Sequence, residues 1–248
     1  MPEFEPFLIL FGVGLLAGTI NVMAGGGSAL TLPTLIFLGL DAATANGTNR
    51  VAITLQNIFA SLSFRQEKVS RFRQSLTFAL WAMPGAVAGA LVAVQISDVW
   101  FQRILGIVMV GVVLSMMIPR RDIVETTPEG LRSWWIYPVL FGIGFYGGFI
   151  QMGVGFLFMA AFYHLLKMNL VFVNLHKVVV ILLYSGPTLL IFALTDHVDW
   201  TLGLSLAAGN ALGAWWGVKL AVRRGEKLIR YVLIVAVLIM AAKILGVF

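Results

Sequence analysis

Between Phe7 and Val247 the chain runs as ten apolar segments joined by short connections, the longest polar ones being Arg65–Gln74 and Pro119–Ser133. A lipid core leaves no water for unpaired backbone groups, so a chain built this way folds as helices or a closed barrel. The segments are Phe7–Met23, Ala29–Leu40, Val51–Phe64, Ser75–Val94, Trp100–Ile118, Trp134–Gln151, Phe156–Leu166, Val178–Leu194, Leu202–Ala221 and Leu228–Val247. A full helical span needs about 20 residues. The fourth, fifth, ninth and tenth qualify outright, and the second and seventh read as half-helices. The reading is an all-α polytopic membrane protein forming one domain over residues 1–248.

Only 11% of residues are charged, which excludes an ordinary soluble domain. The net charge of +6 reflects loop lysines and arginines that set orientation, not a nucleic-acid surface. Cysteine is absent, which removes disulfides, thiol nucleophiles and iron–sulfur sites. The acidic start "MPEFEPFLIL" lacks a basic signal region, so the first segment is expected to be retained.

An internal repeat is visible. Leu10–Gly25 (LFGVGLLAGTINVMAG) aligns with Leu140–Gly155 (LFGIGFYGGFIQMGVG), with seven of sixteen positions identical. Asn21 pairs with Gln151, Gly25 with Gly155, Arg50 with Lys177 and Arg103 with Arg230. GAVAGA (Gly85–Ala90) pairs with GNALGA (Gly209–Ala214). Repeat 1 covers about 7–118, a cytoplasmic linker about 119–133, and repeat 2 134–248. With both termini outside and each segment reversing the side, fourteen Lys and Arg fall inside. Only Arg50, Arg103 and Lys243 fall outside. Five segments per half then give two inverted-topology repeats, and a re-entrant second and seventh segment leaves that parity unchanged.

The stretch NVMAGGGSALTLPTL (Asn21–Leu35) places three glycines inside an apolar run. Glycine costs a helix roughly 1 kcal/mol relative to alanine. The expected consequence is a broken helix at Ala24–Ser28, matched by one at Met152–Gly155, the two meeting near the bilayer midplane. Ser28 is the expected N-cap of the following half-helix. Helix N-termini offer free N–H groups and partial positive charge to an anion, and glycine lets it approach the backbone. Gly12, Gly14, Gly18, Gly147 and Gly148 read as helix-packing glycines.

No carboxylate lies deep in an apolar segment. The expected binding set is Asn21, Gly25, Gly26, Gly27, Ser28, Asn46, Thr48, Asn49, Arg50, Gln56, Asn57, Gln151, Gly153, Gly155, His176, Lys177 and Tyr184. These are mostly donors and cations. His176 is also the candidate for proton coupling, against a plain structural hydrogen bond. Arg50 and Lys177 read either as cations at the two mouths of a cleft or as side chains snorkelling to opposite interfaces. Trp81, Trp100, Trp134, Trp135 and Trp200 read as interface or packing aromatics.

GLLAGTINVMAGGGSALTLPTL, ANGTNRVAI and GFYGGFIQMGVGF make the chain resemble the sulfite exporter TauE/SafE family of membrane permeases. The resemblance implies transport of small sulfur-containing or organic anions such as sulfite, sulfoacetate or related sulfonates. It also implies a prokaryotic-type inner membrane and export driven by the proton gradient. The expected partners are a small anion and the lipid bilayer, with a homodimer left open and nucleic acid excluded. No cofactor or metal is expected. A passive anion channel is the alternative. An intramembrane hydrolase using Ser28 and a histidine is weaker, because no acid stands near to orient the base.

Overall fold

The structure, a computed structural model, describes residues 5–97, 99–101, 103–104, 107 and 134–244, the backbone alone for 225–244. Glu3, Asp98, the fifth segment beyond 107 and the linker 119–133, with its charges Arg120, Arg121, Asp122, Glu125, Glu129 and Arg132, lie outside the described residues. So does the side chain of Arg230, the expected mate of Arg103.

All regular structure among the described residues is helical. The first half contributes α1 (Glu5–Ala24), α2 (Ser28–Phe37), α3 (Ala42–Gln66) and α4 (Phe72–Ala93). The second contributes α5 (Ile136–Phe149), α6 (Val154–Leu166), α7 (Leu170–Leu194) and α8 (Trp200–Ile244). Helices α1, α4 and α7 are long and apolar enough to cross a membrane. Trp81, Trp100, Trp134, Trp135 and Trp200 are each at least half exposed on the outside of the bundle.

Three expected boundaries shift. The third and eighth segments start nine and eight residues earlier than their hydropathy indicates, so the polar runs around Arg50 and Lys177 are helical. Asp41 and Asn169 begin those helices, their side chains accepting from Thr44 N (2.9 Å) and Val171 N (2.8 Å). The polar runs stay helical because their side chains find partners in the other half of the molecule. The ninth and tenth segments form the single helix α8. The expected turn near Arg223–Lys227, on which the outside placement of the C-terminus rested, is helical, and its only poor helix former is Gly225.

Two close seams hold the bundle. Along α1 and α8, Gly14 and Gly18 meet the backbone of Leu206 and Asn210, while Gly209 and Gly213 meet Phe11 and Leu15. Along α4 and α5, Gly85 and Gly89 meet Phe141 and Phe145, and Gly144 and Gly148 meet Ala82 and Ala86. Residue numbers rise together across each seam, so both pairs run parallel. Gly14, Gly18, Gly147 and Gly148 pack as expected, but a side chain at Gly12 would meet nothing within 4 Å. At both seams the first helix of one half packs against the fourth helix of the other.

Helices α3 and α7 run antiparallel. Near the start of α3, Gly47 touches Phe192 and His197, while near its end Phe64 shares a cluster with Leu175 and Val178. Helix α1 begins beside the start of α8, where Ser205 Oγ donates to Phe7 O at 2.9 Å. The start of α3 lies at that same end, where Asp199 N donates to Thr48 Oγ1 at 2.9 Å. The short α2 therefore turns back toward the end from which α1 came. By the same logic α6 turns back toward the end at which α5 begins, since α5 runs parallel to α4, whose start lies beside the start of α7 at the Ser75–His176 contact of 2.8 Å. Two helical hairpins thus enter the bundle from opposite ends.

The left-handed backbone positions recur at one spacing. The described residues with positive φ are Gly25, Gly39, Lys68, Gly153, Lys167 and Asp196. They form three pairs, each 128 apart: 153 − 25, 167 − 39 and 196 − 68. This places Gly25 opposite Gly153, two residues from the Gly25–Gly155 pairing read from the sequence.

Candidate functional site

The two breaks touch. A Cβ on Gly25 would lie 2.5 Å from the carbonyl carbon of Gly155, and one on Gly155 would lie 2.5 Å from Gly25 Cα. Backbone meets backbone here, and a side chain on either residue would push the breaks apart. Gly25 also carries φ +86°, a conformation that favours glycine. Gly26 lies against the Phe156 ring, and Gly27 against Ala17 O and Asn21 Cβ. The three glycines are therefore closely packed, and each has its own steric reason.

The N-termini of α2 and α6 converge at this contact. Ser28 is the first helical residue and does not cap α2. Gly27 holds the cap position without a side-chain bond. The orphan amide is met from outside instead, by Gly27 N donating to Asn21 Oδ1 at 3.3 Å. Ser28 Oγ accepts from Asn49 Nδ2 at 3.4 Å, and Asn49 Oδ1 accepts from Thr31 Oγ1 at 2.6 Å.

Around the first break, Asn21, Ser28, Asn49 and Gln56 form one polar group. Gln56 Oε1 accepts from Asn21 Nδ2 at 3.1 Å and from Asn210 Nδ2 at 3.3 Å. Around the second, Asn46, Arg50, Gln151 and Tyr184 form another. Gln151 Nε2 lies 3.4 Å from the Tyr184 hydroxyl, and Asn46 bonds the backbone where α5 ends, donating to Phe149 O (3.0 Å) and accepting from Gln151 N (3.4 Å). Gly153 supplies the left-handed turn that starts α6.

Other expected members lie elsewhere. Thr48 anchors the start of α8, and Asn57 Nδ2 donates back to Ile53 O at 2.7 Å within its own helix. His176 sits between Phe78 and Phe162, with Nδ1 2.8 Å from Ser75 Oγ. That environment faces α4 and α6 rather than the breaks.

Arg50 and Lys177 do not snorkel; they are 1% and 2% exposed. Each reaches the C-terminal end of the broken helix in the opposite half. Arg50 donates to Gly147 O (3.3 Å) and Gly148 O on α5, with Phe192 4.4 Å from its guanidinium. Lys177 donates to Asn21 O (3.0 Å) and Val22 O (2.8 Å) on α1, and to Asn174 Oδ1 (2.8 Å). Helix C-termini carry partial negative charge and unpaired carbonyls, which is what a cation satisfies. Burying a cation in a membrane costs at least about 2.5–3.5 kcal/mol. Two charged hydrogen bonds at about 1.5–3 kcal/mol each are enough to offset that.

Sequence reading missed Asn210, Asn174, Thr31 and Tyr146, whose hydroxyl donates to Met152 O. Asn210 had a signal: it interrupts a small-residue stripe where its repeat mate, Ala86, does not.

Apolar helices with paired hairpins whose polar tips are buried are an architecture found in many membrane transporters. The sulfite exporter TauE/SafE family pattern matches residues 10–244, and the chain belongs to that family. A probable membrane transporter protein of Haemophilus influenzae is 29% identical over 95% of this chain and 92% of its own length. The probable membrane transporter protein YfcA of Escherichia coli K12 is 31% identical over 96% and 88%. YunE of Bacillus subtilis, also a probable membrane transporter protein, is 27% identical over 90% and 89%. No solved structure matches. The relatives are named as transporters, and the chain is read as a permease, not an enzyme.

Proposed function

We propose that the chain carries a small anion across the prokaryotic inner membrane by alternating access, the two halves acting as inverted-topology repeats around the meeting point of the breaks. The antiparallel run of α3 and α7 and the opposite entry of the two hairpins support that arrangement. The supporting observation for the anion is the convergence of two helix N-termini at Gly25 and Gly155, with amide and hydroxyl groups of Asn21, Ser28, Asn49, Gln151 and Tyr184 around them. Positive dipole ends favour an oxyanion. No described carboxylate joins the polar groups at the breaks.

Sulfite, sulfoacetate and related sulfonates are the proposed substrates, with export coupled to protons. An outside N-terminus is part of this reading; it is supported by Arg65, Lys68, Arg71, Arg73, Lys167 and Arg223 lying at the end of the bundle opposite Asp41, Asp196 and Asp199. Counterflow in proteoliposomes tests this, with sulfite, sulfoacetate, sulfolactate, taurine and small carboxylates at two pH values. Saturable exchange of a sulfur oxyanion is expected. Flux without counterflow would make the protein a channel, and no anion flux at all would overturn the reading.

A further inference from the structure

At the 128-residue register Asn46 stands opposite Asn174 (174 − 46 = 128). The two asparagines do different things. Asn46 is bonded through both halves of its amide to the backbone where α5 ends, at Phe149 O and Gln151 N. The equivalent groups in the first half are Asn21 O and Met23 N. There α1 stays helical to Ala24, three residues beyond the point that matches the end of α5 at Phe149. Gly25 N and Lys177 Nζ occupy Asn21 O. Asn174 holds Lys177 with its oxygen, and its Nδ2, on a residue 0% exposed, has no partner.

A fully buried amide N–H without an acceptor has lost its hydration with nothing in return, so a native fold retains one for a reason. One half of the molecule is stitched and the other is idle, though both hold the same residue at the same register.

We propose that Asn46 and Asn174 are matched positioning residues that exchange roles when the carrier changes face. In the alternate state the last turn of α1, Val22–Ala24, unwinds, and Asn174 takes Asn21 O and Met23 N. Meanwhile α5 rewinds through Met152 and Asn46 releases it. The inference rests on the alternating-access reading and adds which turn moves and which side chain catches it. Arg50 and Lys177, already seated on the carbonyls of the two helix ends, keep those ends anchored while the turns exchange.

Hydrogen exchange of the full chain in lipid nanodiscs, without substrate, tests it. In the wild type the amides of Met23 and Ala24 should exchange faster than those of Gly14–Gly18 in the same helix. Asn174→Leu removes the catching amide and should slow Met23 and Ala24 by about tenfold, while Asn46→Leu weakens the present state and should speed them by about tenfold. Residues with a structural role alone would speed exchange in both variants. Asn174→Asp pairs ionically with Lys177 and carries the same expectation as Asn174→Leu, which covers a leucine variant that fails to fold. Acceleration in both variants, or wild-type Met23 and Ala24 as protected as Gly14–Gly18, overturns the inference. Opposite signs in a protein that moves no anion would leave it standing and remove only the substrate reading.

Discussion

Replacing Gly155 by alanine places a methyl carbon 2.5 Å from Gly25 Cα. Carbon atoms rest at about 3.5–4.0 Å, so the two hairpin tips must separate by about 1 Å or more. Overpacking of that kind costs about 1–3 kcal/mol. Gly25→Ala meets the same obstacle, 2.5 Å from the Gly155 carbonyl carbon, and adds a left-handed φ of +86°. That conformation costs a non-glycine residue about 1–2 kcal/mol more. The order of stability is therefore wild type, Gly155→Ala, Gly25→Ala. The double variant should be little worse than Gly25→Ala alone. Once the tips are apart, the second methyl group finds the space already opened, giving a coupling of about 1–3 kcal/mol. Thermal unfolding in detergent reads this at about 2–4 °C per kcal/mol. Simple additivity of the two single shifts would show that the tips do not touch as described. A Gly155→Ala variant with the wild-type midpoint would refute the steric argument outright.

Three further outcomes follow from the same geometry. With no native cysteine to remove, Gln66→Cys and Thr195→Cys should be labelled from opposite faces of the membrane, since they sit at opposite ends of the antiparallel α3 and α7; labelling from one face would undo the topology. Gly148→Ala should destabilise by about 1–3 kcal/mol because its Cβ enters the α4 backbone, whereas Gly142→Ala, with nothing within 4 Å, should be neutral or up to about 1 kcal/mol stabilising. Asp41→Ala should cost about 0.5–2 kcal/mol by removing the cap of α3. Partial burial pushes the Asp41 carboxyl up, but hydrogen bonds from Thr44 outweigh it and hold the group below its ordinary 3.8. Its stabilisation is therefore present above about pH 4 and lost as pH falls through the lowered value, which acid titration of unfolding in wild type and variant would read.

Hydropathy and glycine placement made the helical class, the two breaks and the family legible. A triple glycine in an apolar run has few uses, and its partner motif recurs 130 residues on. The cations were harder. Arg50 and Lys177 read as cations at the mouths of a cleft or at opposite interfaces because hydropathy sees a charge and not the helix end that receives it. Their acceptors are carbonyls of Gly147, Gly148, Asn21 and Val22. Any residue has a carbonyl, so no side-chain pattern announces the contact. Ser28 failed as a cap for a related reason: Asn21, seven positions earlier, supplies the oxygen. The turn between the ninth and tenth segments was inferred from charge alone, and arginine, lysine and glutamate are good helix formers. His176 was singled out as a rare polar residue, while the rings of Phe78 and Phe162 beside it belong to other helices.

The α1–α8 seam also sets a timetable. Thr19 Oγ1 donates to Gly213 O across 194 residues of sequence. Helix α1 leaves the ribosome well before α8, the partner that covers it. At about 5–20 residues per second, α1 waits roughly 10–40 s for the surface that covers it. During that interval its glycine face and the hydroxyl of Thr19 stand against lipid or against whatever insertion machinery shields them. The α4–α5 seam closes much sooner, since Gly85 and Phe141 are far nearer in the chain. Synthesis thus completes the α4–α5 seam before the α1–α8 seam can close.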